Sequence, residues 1–369
     1  MATLDLSQLP PSDTASRLAR LRDLLPEAGC DALLVTKLEN LRYLTGFSGS
    51  AGMLFVGPES ALLTTDGRYA EQSAEQLTQA GVDAEITIGR LDAQLGALER
   101  AASGLARIGL EAASLTWASE LRFAELFDAE LVATRGVVER LRVVKDAGEL
   151  ARIEAACDIA DVALAQVKER LATGLTESEF AAELEFEMRR RGASGPAFET
   201  IVAAGANSAM PHHRPGDRPI GEGELIVIDF GATVDGYRSD MTRTFVVGTP
   251  DPASLDLLDA VLAAQRAGVR AVRPGATGAE VDEACRVSLT EAGYGEVFLH
   301  STGHGVGLEI HEAPAVAPGA ADILAVGSVV TVEPGAYLAT RGGVRIEDSL
   351  VVTEDGYRVL TKSTKDYLL

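Results

Sequence analysis

Aromatic residues make up only 5% of the 369-residue chain, and cysteine occurs three times. Nowhere do the roughly 18 consecutive apolar residues of a membrane-spanning helix appear. Cys30, Cys157 and Cys285 lie too far apart for a zinc knuckle or a disulfide framework, so buried free thiols are expected. Basic residues are outnumbered, 33 Lys and Arg against 55 Asp and Glu, which leaves a formal charge of −22. Such a surface repels phosphate backbones and anionic lipid, which argues against nucleic-acid and membrane partners. Residues Met1 to Pro11 lack the basic start and apolar run of a secretory leader, so a cytoplasmic location is expected.

What is present is a composition of 46% hydrophobic residues and 37 glycines, which suits a compact α/β enzyme. The length suits two domains of about 100–200 residues each. Over residues 12–142, short β-rich runs (Ala32–Val35, Met53–Val56, Ala61–Thr64) alternate with helical periodicity, which predicts an α/β domain. The charged stretch Val138–Asp146 then leads to a long amphipathic helix from about Ala147, and a second domain is placed over 143–369.

That second part contains an internal echo. Thr176-Glu-Ser-Glu179 and Thr277-Gly-Ala-Glu280 are both capping boxes, and each helix they open ends at a glycine, Gly192 or Gly293. Further on, Gly223 to Asp229 is matched by Gly327 to Glu333, each an apolar strand ending in a carboxylate. Asp240 and Glu347 form a second matched pair. Two duplicated halves are expected, each a helix layer over antiparallel strands, each supplying two acids. The Asp235-Gly236 turn signal predicts a hairpin in which Asp229 faces Thr242 and lies diagonal to Asp240. An ionised carboxylate within an apolar strand needs a partner, and a cation is the natural one; the rival is a solvent-facing charge on an edge strand. Glu347 follows Arg345 by two residues, which predicts that both lie on the same face of one strand.

All five histidines fall in two places, His212-His213 and the twelve-residue stretch holding His300, His304 and His311. Ser-Thr-Gly-His304-Gly-Val-Gly is a glycine-lined segment that brings backbone close to a ligand, and its imidazole suits a borderline cation. Asp229, Asp240, Glu333, Glu347 and His304 together would hold two divalent ions, with manganese favoured by the oxygen donors and cobalt, zinc or iron admitted by the imidazole.

In this order, Asp229, Asp240, His304, Glu333 and Glu347 resemble the metal ligands of the pita-bread metallopeptidases. Ile-Asp229-Phe-Gly, Ser-Asp240-Met-Thr-Arg-Thr, Pro211-His212, His300-Ser-Thr-Gly-His304 through His311-Glu, Glu333-Pro-Gly and Gly343-Val-Arg345-Ile-Glu347-Asp are similar to the proline-specific branch, aminopeptidase P and the small prolidases. Phe47-Ser-Gly-Ser and Thr65-Asp-Gly-Arg68-Tyr69 extend the resemblance to the N-terminal domain. It implies an α/β creatinase-type domain followed by an α+β pita-bread catalytic domain with a pseudo-two-fold repeat, and a homodimer that cleaves Xaa-Pro bonds of di- or oligopeptides using a hydroxide shared between two cations. It further implies that Glu333 shuttles a proton, His212 and His311 bind the peptide around the scissile carbonyl, His300 supports the site and Arg345 holds Glu347. Arg68 is either a substrate contact, across the dimer or within one chain, or a structural ion pair. Phe198 and Tyr237 are either the wall of a proline pocket or core, and His213 has no implied role. The rivals are a methionine aminopeptidase, disfavoured by the long N-terminal domain, a metal-free creatinase, and a peptide-binding module without catalysis.

Overall fold

The run Ala32–Val35 has no polar position to turn toward water, and in the computed structural model, which describes residues 4–339 and 341–369, it is a strand buried along its whole length. The chain divides into two compact units, Ser12–Arg142 and Val143–Leu369, with the segment up to Pro11 belonging to the second.

In the first unit, β1 (Ala32–Val35), β2 (Met53–Val56), β3 (Ala61–Thr65), β4 (Glu85–Ile88), β5 (Arg107–Glu111) and β6 (Glu130–Thr134) form one sheet in the order β4-β3-β2-β1-β5-β6. The central hairpins are antiparallel, whereas β3–β4, β1–β5 and β5–β6 are parallel. Parallel neighbours require a crossover, and helices supply it. After α1 (Arg17–Leu24) and α2 (Leu38–Thr45), the helices α3 (Ala70–Ala80), α4 (Leu91–Ala101) and α5 (Trp117–Leu126) each follow a strand, and α6 (Val137–Arg142) closes the unit. Leu34, Phe55, Ile108, Leu110, Phe123 and Phe127 form its core.

The second unit begins with α7 (Ala147–Val167), whose first turn is closed by reciprocal bonds between Asp146 and Glu149. Both expected capping boxes form, Thr176 with Glu179 at α8 (Glu177–Arg190) and, after α9 (Pro252–Ala271), Thr277 with Glu280 at α10 (Gly278–Glu291). The strands are β7 (Gly195–Pro196), β8 (Ile201–Ala204), β9 (Leu225–Phe230), β10 (Ala232–Val234), β11 (Tyr237–Arg238), β12 (Met241–Val246), β13 (Gly303–Gly305), β14 (Glu312–Val316), β15 (Val329–Val332), β16 (Gly335–Leu338), β17 (Gly342–Arg345), β18 (Asp348–Thr353) and β19 (Gly356–Val359). They are organised as sheets β12-β9-β8, β11-β10-β7 and β14-β13-β15-β18-β19 with the hairpin β16-β17, and every pairing is antiparallel. One core packs α7 and α8 on β8, β9, β10 and β12; the other packs α9 and α10 on β15 to β18.

The hairpin register is as the turn signal requires. Asp235 (φ 45°) and Gly236 (φ 76°) are both left-handed, Val234 faces Tyr237, and Thr242 faces Asp229. All three cysteines are buried and free. Among the described residues, no helix is long and apolar enough to cross a membrane.

The first and last described residues pack on the same core. Leu4 donates its N–H to Arg191 O (3.0 Å), Leu4 and Leu9 pack on the α7–α8 core, and Leu369 packs there too.

Candidate metal and peptide site

β9 is the middle strand of its sheet, so the acid near its end is not on an edge; Asp229 lies between β8 and β12, opposite Thr242. Asp240 stands just before β12, and Glu347 just before β18. One oxygen from each of Asp229, Asp240 and Glu347 lies within 4.8 Å of the other two. Asp240 and Glu347 are 5% and 1% exposed, so water does little to screen them. Burial, and then the neighbouring carboxylates, push both far above the usual carboxylate range, and burial raises Asp229 despite the Arg345 charge beside it.

His304 and Glu333 adjoin this cluster. His304 Nε2 lies 3.2 Å from Glu333 Oε1 and 3.6 Å from Asp240 Oδ2. Its Nδ1 lies 3.1 Å from Gly305 O, and because a carbonyl only accepts, that bond puts the proton on Nδ1 and turns Nε2 toward the acids. Burial pulls His304 down, but the bond and charge of Glu333, the Gly305 carbonyl and the Asp229 charge together outweigh it and the imidazole ends raised; Glu333, which burial would raise, is lowered by His304 together with the charges of Arg345 and His300. The glycines around His304 are a packing requirement: a Cβ at Gly303 would overlap the Thr331 carbonyl, and one at Gly305 the Ala313 carbonyl. Thr331 Oγ1 donates to Glu333 Oε1 (3.3 Å) and accepts from His304 N (3.1 Å), so one hydroxyl indexes both residues.

Arg345 is the hub of the remaining network. It is 2% exposed and donates from Nη2 to Asp229 Oδ2 (2.6 Å), from Nε to Thr242 Oγ1 (3.1 Å), and from Nη1 to Tyr337 Oη (2.9 Å) and Pro211 O (3.1 Å). The Thr242 hydroxyl in turn donates to Glu347 Oε2 at 2.8 Å. His300 Nδ1 donates to Ser301 O (2.8 Å), so its Nε2 accepts the Tyr337 hydroxyl at 2.8 Å. Burial keeps His300 and His311 below the ordinary histidine value, in their neutral forms near neutral pH.

The network corrects one expectation. Arg345 pairs with Asp229, and it reaches Glu347 only through Thr242. Two residues of spacing put both side chains on one face only within a single strand, but β17 ends at Arg345 and the chain crosses to β18.

Asp229, Asp240, His304 and Glu333 line a cavity of about 670 Å³ together with His212, His300, His311, Arg345 and Phe198. His311 stacks edge-on against His304, with ring centroids 4.3 Å apart. Tyr237 does not line this cavity: it is buried in the core and donates its hydroxyl to Glu149 Oε1 (3.1 Å), so the proline-wall reading is withdrawn for it. His213, without an expected role, binds the buried Glu177 carboxylate through Nε2 at 2.8 Å. In the first unit, Arg68 forms a two-pronged bond with Asp66 (2.8 and 2.9 Å), which holds the Asp66 carboxyl down at about 2. Thr242, Thr331 and Tyr337 escaped the sequence reading as site residues, since a lone hydroxyl residue on a strand carries no motif.

The residues fit a pair of divalent cations. Asp229 Oδ1 and Glu347 Oε1 are buried side-chain oxygens with no hydrogen-bond partner, an arrangement that costs about 1–3 kcal/mol or more per group unless a ligand satisfies it. Both oxygens belong to the acids of the cluster.

The model of metallopeptidase family M24 matches residues 151–354, and that of the creatinase/prolidase N-terminal domain matches residues 17–144. An Xaa-Pro dipeptidase of Pyrococcus furiosus is 37% identical over 355 residues, 95% of this chain and 99% of that protein. The solved structure of an Xaa-Pro dipeptidase from Bacillus anthracis is 40% identical with a TM-score of 0.92, covering 96% of this chain and 99% of that one. That of an X-Pro aminopeptidase from Thermotoga maritima is 35% identical with a TM-score of 0.86, covering 95% and 99%.

Proposed function

The chain belongs to metallopeptidase family M24, and from that premise we propose that it hydrolyses the bond between an N-terminal residue and a following proline. The observation that carries this reading is the pair of buried, partnerless oxygens on Asp229 and Glu347, within a cluster of acids of which Asp229 and Asp240 line a cavity that also presents five histidines. Asp229, Asp240, His304, Glu333 and Glu347 would hold two divalent ions, manganese by the balance of oxygen donors. When bound, the ions supply an acidified water and polarise the scissile carbonyl.

The rest is the work of the chain's own side chains. Glu333 takes the proton of the attacking water and hands it to the proline nitrogen as the C–N bond breaks, so the new C–O bond and the freed amine balance. Neutral His311 offers an N–H to the peptide around its carbonyl, and His212 faces the same cavity as a second contact. Arg345 fixes Asp229 directly and Glu347 through Thr242, while Tyr337 and His300 extend the same chain of directed bonds to Ser301. Phe198 presents an apolar wall to a ring that has no N–H to satisfy. Arg68 is kept as a substrate contact, and a homodimer acting in the cytoplasm completes the reading.

Assay of Ala-Pro beside Ala-Pro-Ala in Mn²⁺ and in EDTA tests it. Turnover of at least one, lost on chelation, is expected, and the faster peptide assigns dipeptidase or aminopeptidase action. Turnover of Met-Ala alone would replace it with a methionine aminopeptidase, and no turnover of any Xaa-Pro peptide with a peptide-binding module.

A further inference from the structure

β12 alternates its side chains between two sides. Thr242 and Thr244 bond to Glu347 and Arg345, whereas Arg243 points elsewhere and is 1% exposed. Its Nη1 donates to the carbonyls of Thr242 (2.9 Å) and Glu347. Its Nη2 donates to Asp348 Oδ1 (3.0 Å) and Ser363 O (2.8 Å), and its Nε to Ser363 O and Thr364 O, both 3.1 Å. One buried cation thus joins the backbone of Glu347 to an irregular stretch of chain beyond β19.

That stretch is pinned from three directions. Asp348 accepts from Thr361 Oγ1 (3.0 Å), Gln265 Nε2 (2.8 Å) and Lys365 Nζ (2.5 Å). Asp161 on α7 accepts the N–H groups of Lys362 and Ser363, both at 2.7 Å. Leu369 donates its N–H to Val246 O (3.0 Å) at the end of β12. A buried guanidinium is expensive to leave unpaired, and two of the acceptor carbonyls here exist only while residues 363 and 364 stay in place.

Glu347 lies between β17 and β18 rather than inside a ladder, so few other bonds orient it. They are its N–H to Thr242 O (3.1 Å), the Thr242 hydroxyl on Oε2, and the Arg243 bond to its carbonyl. We propose that Thr361–Lys365, acting through Arg243 and Asp348, is a positioning strap that aims the partnerless Oε1 of Glu347 and thereby sets the affinity of the site for divalent cations. The proposal rests on the metal-site reading above.

Metal-stripped wild type, Arg243→Gln and Lys365→Ala are titrated with Mn²⁺ by calorimetry, and the thermal midpoint of each is measured without metal. Both substitutions remove a positive charge, so through-space electrostatics alone would tighten cation binding; the strap requires weaker binding. Arg243→Gln is expected to weaken Mn²⁺ binding by about 10–100-fold, and Lys365→Ala, one bond further out, by about fivefold. A strap that merely stabilises the fold would lower the metal-free midpoint and leave the isotherm of each variant at the wild-type value, and that result, or tighter binding, overturns the proposal. Should Arg243→Gln not fold, Lys365→Ala decides by the same sign. If wild type binds no Mn²⁺, the metal-site reading falls and the strap with it; if wild type binds and the variants match it, only the strap falls.

Discussion

The two halves of the second unit match closely in framework and differ in what they bring to the cavity. The first runs from Thr176 to β12 and the second from Thr277 to β18. Each opens with a Thr–Glu capping box, and each cap residue bridges to a later strand-like segment, Thr176 to Pro219 and Thr277 to Ile323. Each strand is entered through a left-handed glycine whose N–H is bonded across the sheet, Gly223 to Val247 O and Gly327 to Val352 O. Each half then supplies one acid at or near the end of that strand and one just before the strand that pairs with it, β12 or β18. The flanking strands differ: β8 is the fully buried Ile-Val-Ala-Ala, β13 is Gly-His-Gly. The shared framework places charge, and departure from it places chemistry, because the imidazole and its close backbone approach are needed on one side only.

Removing an acid from either half is the strongest test of that equivalence. Asp240→Ala and Glu347→Ala are each expected to lower turnover of an Xaa-Pro peptide and Mn²⁺ affinity by about a hundredfold or more, as is Glu333→Ala for turnover. A large loss from one half with a small loss from the other would break the comparison. His304→Ala probes the asymmetric element and should cost about 10–100-fold in Mn²⁺ affinity by calorimetry, while Val202→Ala on β8 leaves metal affinity near wild type. Tyr337→Phe removes the hydroxyl between Arg345 and His300, and a loss of roughly tenfold in kcat is expected, the size of one hydrogen bond to a charged group.

The smallest effects lie at the caps. Thr176→Ala and Thr277→Ala should each destabilise by about 1 kcal/mol, read from the thermal midpoint, and by similar amounts if the halves are truly alike. Glu179 and Glu280 are both held below the ordinary glutamate value by the N–H of their cap residue. Their folded-state pKa is depressed, so this contribution is present at neutral pH and fades as the pH falls through and below the glutamate range. Midpoints followed downward in pH should converge on those of Glu179→Gln and Glu280→Gln.

Local signals read well from the sequence, and long-range partners did not. The Asp235-Gly236 turn announced the register that sets Thr242 against Asp229, because a two-residue turn leaves a single pairing open. The capping boxes at Thr176 and Thr277 were visible for the same reason, since all their bonds lie within one turn of helix. Strand alternation would set Arg345 beside Glu347, but it holds only while the strand lasts; β17 stops at Arg345, and the guanidinium meets Asp229 instead. Tyr237 and Tyr337 show the other limit: the sequence admits Tyr237 as pocket wall and it lies in the core, whereas it gives Tyr337 no mark and that hydroxyl joins His300 to Arg345. Nothing within a few residues of either tyrosine distinguishes them.

The return of Leu4 and Leu9 to the α7–α8 core has a topological meaning. In chain order, Ser12–Arg142 is an insertion within the second unit rather than a segment ahead of it, for residues on both sides of it belong to that unit. A cut between Arg142 and Val143 would therefore not release an intact catalytic fragment. It would strip away a short stretch whose leucines cover α7, and a fragment that keeps residues 4–11 in trans, or spliced directly to Val143, should be the more soluble of the two.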